Sequence, residues 1–131
     1  MEKERSSDLL AVRDLLRQFV DERDWSRFHS PKNLATALSV EASELLEPFQ
    51  WLQSGEKSEL ADDRLTAIRH EMADVLTYLV MLADRLDVDL YAAVLEKIEL
   101  NRAKYPAHKV RGDSRKYSEY DAEYGAEHGG D

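Results

Sequence analysis

The chain has 131 residues, 43% hydrophobic and 34% charged, which is apolar material for the core of one ordinary domain and charge enough for solubility. It contains no cysteine, so a disulfide framework, a thiolate metal site and a thiol nucleophile are all excluded. A formal net charge of −9 argues against non-specific binding to a nucleic acid polymer.

The N-terminus, MEKERSSD, is charged from its second residue, and no apolar run approaches membrane-spanning length. A cytoplasmic protein with no membrane partner is expected. A first helix is predicted from Asp8 to about Arg23, with Leu9, Val12, Leu16, Phe19 and Val20 at helical spacing. After the link DWSRFHS, Ser30-Pro31 is a good helix start, with Ser as N-cap and Pro at the first helical position. The second helix is expected to run to about Trp51.

SGEKSELADD is a polar break. A third helix, from about Asp63 to Leu86, is apolar on most of its circumference and belongs in the middle of a bundle or of a subunit interface. A fourth runs from Leu90 to about Lys104 and stops before Pro106. No β-type alternation persists. The expected fold is therefore all-α, a bundle of four main helices over residues 1–111, with a tail at 112–131 that is largely flexible beyond about residue 120.

Two pairs of carboxylates break this pattern. On the second helix the apolar stripe Leu34, Ala37, Leu38 continues into Glu41 and Glu44 before Leu45 and Phe49. On the third, Ile68, Glu71, Asp74, Val75 and Tyr78 share a face. Burying unpaired carboxylates costs several kcal/mol each, so something must neutralise them. Arg69 and His70 point elsewhere around the wheel. Hard oxygen ligands from two facing helices suit Mg²⁺, or Mn²⁺ as a substitute. A di-iron bundle would need Glu-x-x-His motifs. The residues three before His29, His70, His108 and His128 are Ser26, Ala67, Tyr105 and Gly125, so none exists.

Glu41-x-x-Glu44 followed by Glu71-x-x-Asp74 resembles the signature of the all-α nucleotide pyrophosphohydrolases of the MazG-like superfamily. ERDWSRFHSPKNLA, ELLEPFQW, HEMADVLTYLV, NRAKYPAH and SRKYSEY together resemble its dCTP pyrophosphatase branch, in the same order, over roughly Val12 to Tyr120. The resemblance implies an enzyme that splits a nucleoside triphosphate into monophosphate and pyrophosphate, with Glu41, Glu44, Glu71 and Asp74 as metal ligands and catalytic acids. It implies aromatic residues sandwiching the base, at Trp25 and Trp51, and Tyr78 against the deoxyribose. His29 lies within reach of the base or sugar.

Lys97 and Asn101, four apart on the fourth helix, share a face suited to phosphate. They belong to a basic strip in which Arg102, Lys109, Arg115 and Lys116 extend the expected clamp, with Lys32 a weaker candidate. One departure stands out. The animal members carry a His in the first helix that approaches the base, and Leu16 occupies that place here. A range broader than strict cytosine is therefore expected, including modified deoxycytidine triphosphates or dTTP.

The resemblance further implies assembly as a homotetramer, a dimer of dimers. Sister activities remain open, namely a dUTP-type diphosphatase or a phosphoribosyl-ATP pyrophosphohydrolase. A non-catalytic helical module that associates through the third helix is the alternative from another class.

Overall fold

The computed structural model describes residues 8–112, and their regular structure is entirely helical. The four expected helices form: α1 (Asp8–Glu22), α2 (Pro31–Leu46), α3 (Asp62–Arg85) and α4 (Leu90–Lys104). A single further turn, α5 (Ala107–Val110), follows Pro106. Short 3-10 turns at Ser26–Phe28, Glu47–Phe49 and Lys57–Glu59 fill the links. The tail expected beyond residue 112 lies outside the described residues.

Local chemistry sets the helix ends. Ser30 is extended, and its hydroxyl accepts a hydrogen bond from the Asn33 N–H at 3.1 Å, with Pro31 beginning the helix. The Asn33 side chain in turn donates to the Phe28 carbonyl at 3.0 Å, tying α2 to the turn before it. The far end of α2 differs from expectation. The helix stops at Leu46 rather than continuing to Trp51, because Pro48 has no N–H to donate to the carbonyl of Glu44. The chain tightens into the 3-10 turn Glu47–Phe49, and Trp51 falls in the loop beyond it.

α1 and α3 end alike. Trp25 N–H donates to the Val20 carbonyl and Asp24 N–H to that of Asp21, both at 3.1 Å, with Asp24 left-handed at φ 52°. Val88 N–H donates to Ala83 at 2.8 Å and Asp87 N–H to Asp84 at 3.3 Å, with Asp87 at φ 55°. These are Schellman closures in which Asp takes the position glycine usually fills.

The chain divides into two compact units, one ending at Leu90 and the other beginning at Tyr91. In the first, α2 packs along α3, and α1 rests on α3. Its buried core is Val20, Leu34, Ile68, Val80 and Ala83, with Leu34 only 1% exposed. Arg17 clamps α1 to α3 by a bidentate pair to Asp84, Nε to Oδ2 at 2.8 Å and Nη2 to Oδ1 at 2.5 Å. That hydrogen-bonded pairing holds Asp84 below its ordinary range. α3 leaves Met72, Leu76 and Leu79 exposed on one face, at 56%, 40% and 36%. In the second unit α4 carries Tyr91, Val94, Leu95 and Ile98 exposed. No described helix is long and apolar enough to cross a membrane.

Because Ser30 supplies the side-chain cap of the helix that carries two of the carboxylates, Ser30→Ala should cost about 1 kcal/mol. Thermal unfolding followed by circular dichroism should show this as a fall in Tm of a few degrees.

Candidate active site

α2 and α3 bring Glu41, Glu44 and Glu71 together. One carboxylate oxygen from each lies within 4.8 Å of the others, and all three side chains are half-buried. Oε2 of Glu41 and Oε2 of Glu71 are sealed from solvent with no hydrogen-bond partner. Burial, and then the neighbouring carboxylates of Glu44, Asp74 and Glu71, push Glu41 up from the usual 4.5 to about 7. Asp74, one turn beyond Glu71, is exposed and stands outside the tight cluster, though its charge acts on Glu41.

Converging hard oxygens, two of them buried without a donor, fit a divalent cation of the Mg²⁺ class. No basic side chain pairs with these three carboxylates among the ion pairs of the described residues.

Trp25 sits just after α1, with its ring edge-on to Phe19 at 5.8 Å and 44% of its surface open. Arg23 stacks over Phe19 at 3.7 Å from the ring centre. His29, at the end of the first 3-10 turn, lines a cavity of about 170 Å³ among α1, α2 and α3. Leu16, Val20, Leu34 and Val80 supply apolar wall there, and Arg17 and Asp84 line it too. The volume is below the roughly 300 Å³ at which small-molecule pockets usually begin, so it suits one ring system rather than a whole nucleotide.

Tyr78 is half-buried on α3, and Trp51 is 88% exposed on the loop after α2. Lys97, Asn101 and Arg102 are exposed on α4, where Arg102 pairs with Glu99. Lys109 is exposed on α5, and Lys32 on the first turn of α2. Arg115 and Lys116 lie outside the described residues. Sequence reasoning missed Arg17 and Asp84, whose pairing across 67 positions leaves no local signal, and it treated the loop carrying Glu59 as a simple break.

The sequence model of the MazG-like family matches residues 36–120, which include both carboxylate pairs. The chain belongs to the MazG-like family. It is 48% identical over 110 residues to dCTP pyrophosphatase 1 of Homo sapiens, a match covering 82% of this chain and 65% of that protein. The rat protein of the same name is 44% identical over the same extent. The chain thus spans about 65% of the length of the curated relatives it matches.

Among solved structures, a pyrophosphatase from Archaeoglobus fulgidus is 40% identical, with a TM-score of 0.72. That match covers 81% of this MazG-like chain and 99% of the archaeal one.

The raised Glu41 has a definite pH signature. The metal-free fold holds a proton that the unfolded chain releases between pH 4.5 and about 7. The stability this group contributes is therefore fully present below pH 4.5 and is lost as pH rises through 7. A cation taken up by the cluster displaces the same proton. Mg²⁺ titration by calorimetry in buffers of different ionisation heat should show proton release at about pH 6.5 and much less at about pH 8. Glu41→Gln should abolish it, and buffer-independent heats in the unmodified protein would contradict the assignment.

Proposed function

We propose that this chain is a divalent-metal-dependent nucleoside triphosphate pyrophosphohydrolase that converts deoxynucleoside triphosphates to monophosphate and pyrophosphate. dCTP or modified dCTP is the preferred substrate. The observation that carries the reading is the pair of partnerless buried oxygens on Glu41 and Glu71, two residues whose carboxylates converge with that of Glu44 across the α2–α3 seam. Identity to proteins named dCTP pyrophosphatase 1 supplies the substrate class.

Glu41, Glu44 and Glu71, with Asp74 at the open side, hold Mg²⁺, for which Mn²⁺ can substitute. When bound, the metal neutralises phosphate charge and makes a water more acidic. The half-buried carboxylates hold their positions without rearrangement because each sits on a long packed helix, which is how positioning contributes to phosphoryl transfer. Water adds at the α-phosphorus, a carboxylate of the cluster takes its proton, and the bond to the bridging oxygen breaks to release pyrophosphate.

Trp25 and Trp51 supply ring faces for a stacked base, a contact that tolerates many bases. Tyr78, half-buried one turn beyond Asp74, lies against the deoxyribose. His29 is the polar group at the base, and with Leu16 in the same cavity the site holds the base by one polar contact fewer than a histidine there would allow. Selectivity is correspondingly broad. Lys97 and Asn101 contact phosphate, and Arg102, Lys109, Arg115 and Lys116 extend that clamp.

The exposed stripe Met72, Leu76, Leu79 on α3, together with the apolar residues of α4, supports assembly into a homotetramer, a dimer of four-helix-bundle dimers. The same stripe favours the second reading, a non-catalytic helical association module. The absence of cysteine supports a cytoplasmic location.

Product analysis on a panel of canonical and modified dNTPs and NTPs separates the readings. Monophosphate and pyrophosphate should form in Mg²⁺ and not in EDTA, and Glu71→Gln should lower turnover by about a hundredfold or more. Metal-independent behaviour and tolerance of Glu71→Gln would leave the association module. Light scattering should give the mass of four chains, and a monomer mass would remove the tetramer.

A further inference from the structure

Trp51 of the proposed nucleotide site is 88% exposed, and it lies beyond the end of α2 rather than on it. Where its Cα–Cβ bond points, and so the region its ring can reach, is decided by the backbone of the loop between Phe49 and Glu59. One side chain gathers that loop. The Glu59 carboxylate accepts hydrogen bonds from the N–H groups of Gln53 at 3.0 Å, Ser54 at 2.9 Å and Gly55 at 3.1 Å. It also accepts from the Ser54 hydroxyl at 2.6 Å.

Three successive N–H groups converging on one anion make a concave donor cradle, and here the anion belongs to the chain itself. These bonds hold the Glu59 carboxyl down at about 2, so it is ionised throughout the neutral range. Glu59 is placed for this by its own 3-10 turn, in which its N–H donates to the Glu56 carbonyl at 2.8 Å.

A second tie closes the other side. Gly55 is left-handed at φ +75°, and a Cβ there would stand 2.8 Å from Cδ1 of Phe49. The Phe49 ring thus lies directly on Gly55, while the Leu52 N–H donates to the Phe49 carbonyl at 2.9 Å. Trp51 sits inside the span that these contacts enclose.

We infer that Glu59 is a positioning residue: by holding the N–H groups of residues 53–55 it fixes where Trp51 stands, and so presents that ring to the base. The inference rests on the reading of Trp51 as a stacking residue. A carboxylate suits this place because both of its oxygens accept, Oε1 from Ser54 and Gly55 and Oε2 from Gln53, whereas Gln would turn an N–H₂ toward at least one of these N–H donors.

The test uses the full chain. In a Trp25→Phe background Trp51 is the sole tryptophan, since the chain has two. Time-resolved fluorescence anisotropy on that background should show a larger fast-decaying component for Trp51 after Glu59→Gln. Ser54→Ala, which removes the hydroxyl bond to Glu59 and the longer one that the hydroxyl accepts from the Glu56 N–H at 3.4 Å, should give a smaller change in the same direction and guards against a misfolded Glu59 variant.

With both tryptophans present, Glu59→Gln should raise KM for the preferred triphosphate several-fold with kcat little changed, the pattern of lost uniform binding. Adding Trp51→Ala to it should cause no further loss, because the two changes act on one contact. Unchanged Trp51 anisotropy in both variants would overturn the inference. If anisotropy changes but Trp51→Ala alone leaves KM unaltered, the hold of Glu59 on Trp51 stands and the stacking reading of Trp51 is the one that fails.

Discussion

Two carboxylate oxygens, one on Glu41 and one on Glu71, lie sealed between α2 and α3 with no hydrogen-bond donor to meet them. An arrangement of like charges costs free energy wherever it occurs, and more where solvent is excluded. It persists only if the surrounding fold over-determines it. The rest of the first unit is organised to that end. α2 and α3 pack along each other, Leu34 and Ile68 anchor the seam on the apolar side, and Arg17 braces α3 from α1 through Asp84. The protein's response to an unfavourable cluster is visible in Glu41, which keeps its proton to about pH 7 in the absence of a cation.

Three of the groups proposed to hold the nucleotide, Trp25, His29 and Trp51, stand at helix ends rather than in helix middles. Trp25 follows the left-handed Asp24 that closes α1, His29 ends the 3-10 turn just before the Ser30 cap, and Trp51 follows the break at Pro48. Each is aimed by a terminator: a Schellman closure, an N-cap and a proline. The clustered acids, by contrast, stand on the helices themselves, Glu41 and Glu71 well inside α2 and α3 and Glu44 in the last turn of α2. Helices thus carry the charge cluster, and shaped helix ends carry the rings proposed to meet the variable part of the substrate.

Much of this was legible in residue order. Helical spacing placed four helices within a few residues of their true ends, and the carboxylates were conspicuous because charge at i and i+3 replaced apolar residues on an inward face. Ser30-Pro31 marked the start of α2 because both residues act within one turn. The end of α2 was misread because the apolar rhythm through Phe49 and Trp51 masked the missing N–H of Pro48. The role of Leu16 beside His29 was partly visible, but their sharing of one cavity was not, since they meet only when α1 folds against α2 and α3. Glu59 looked like one more acid in a polar break, although its carboxylate gathers three backbone donors.

The sequence by itself determined the all-α character, the helix starts, the absence of thiol chemistry and which acids are out of place, because all of these follow from composition or from residues within one helical turn of each other. Family membership was also readable there, carried by several segments in order. Only the tertiary structure decided that Glu41, Glu44 and Glu71 converge while Asp74 stays open, and that Arg17 locks to Asp84. Those facts depend on the rotation and offset of one helix against another, which side-chain packing sets over distances that no local pattern records.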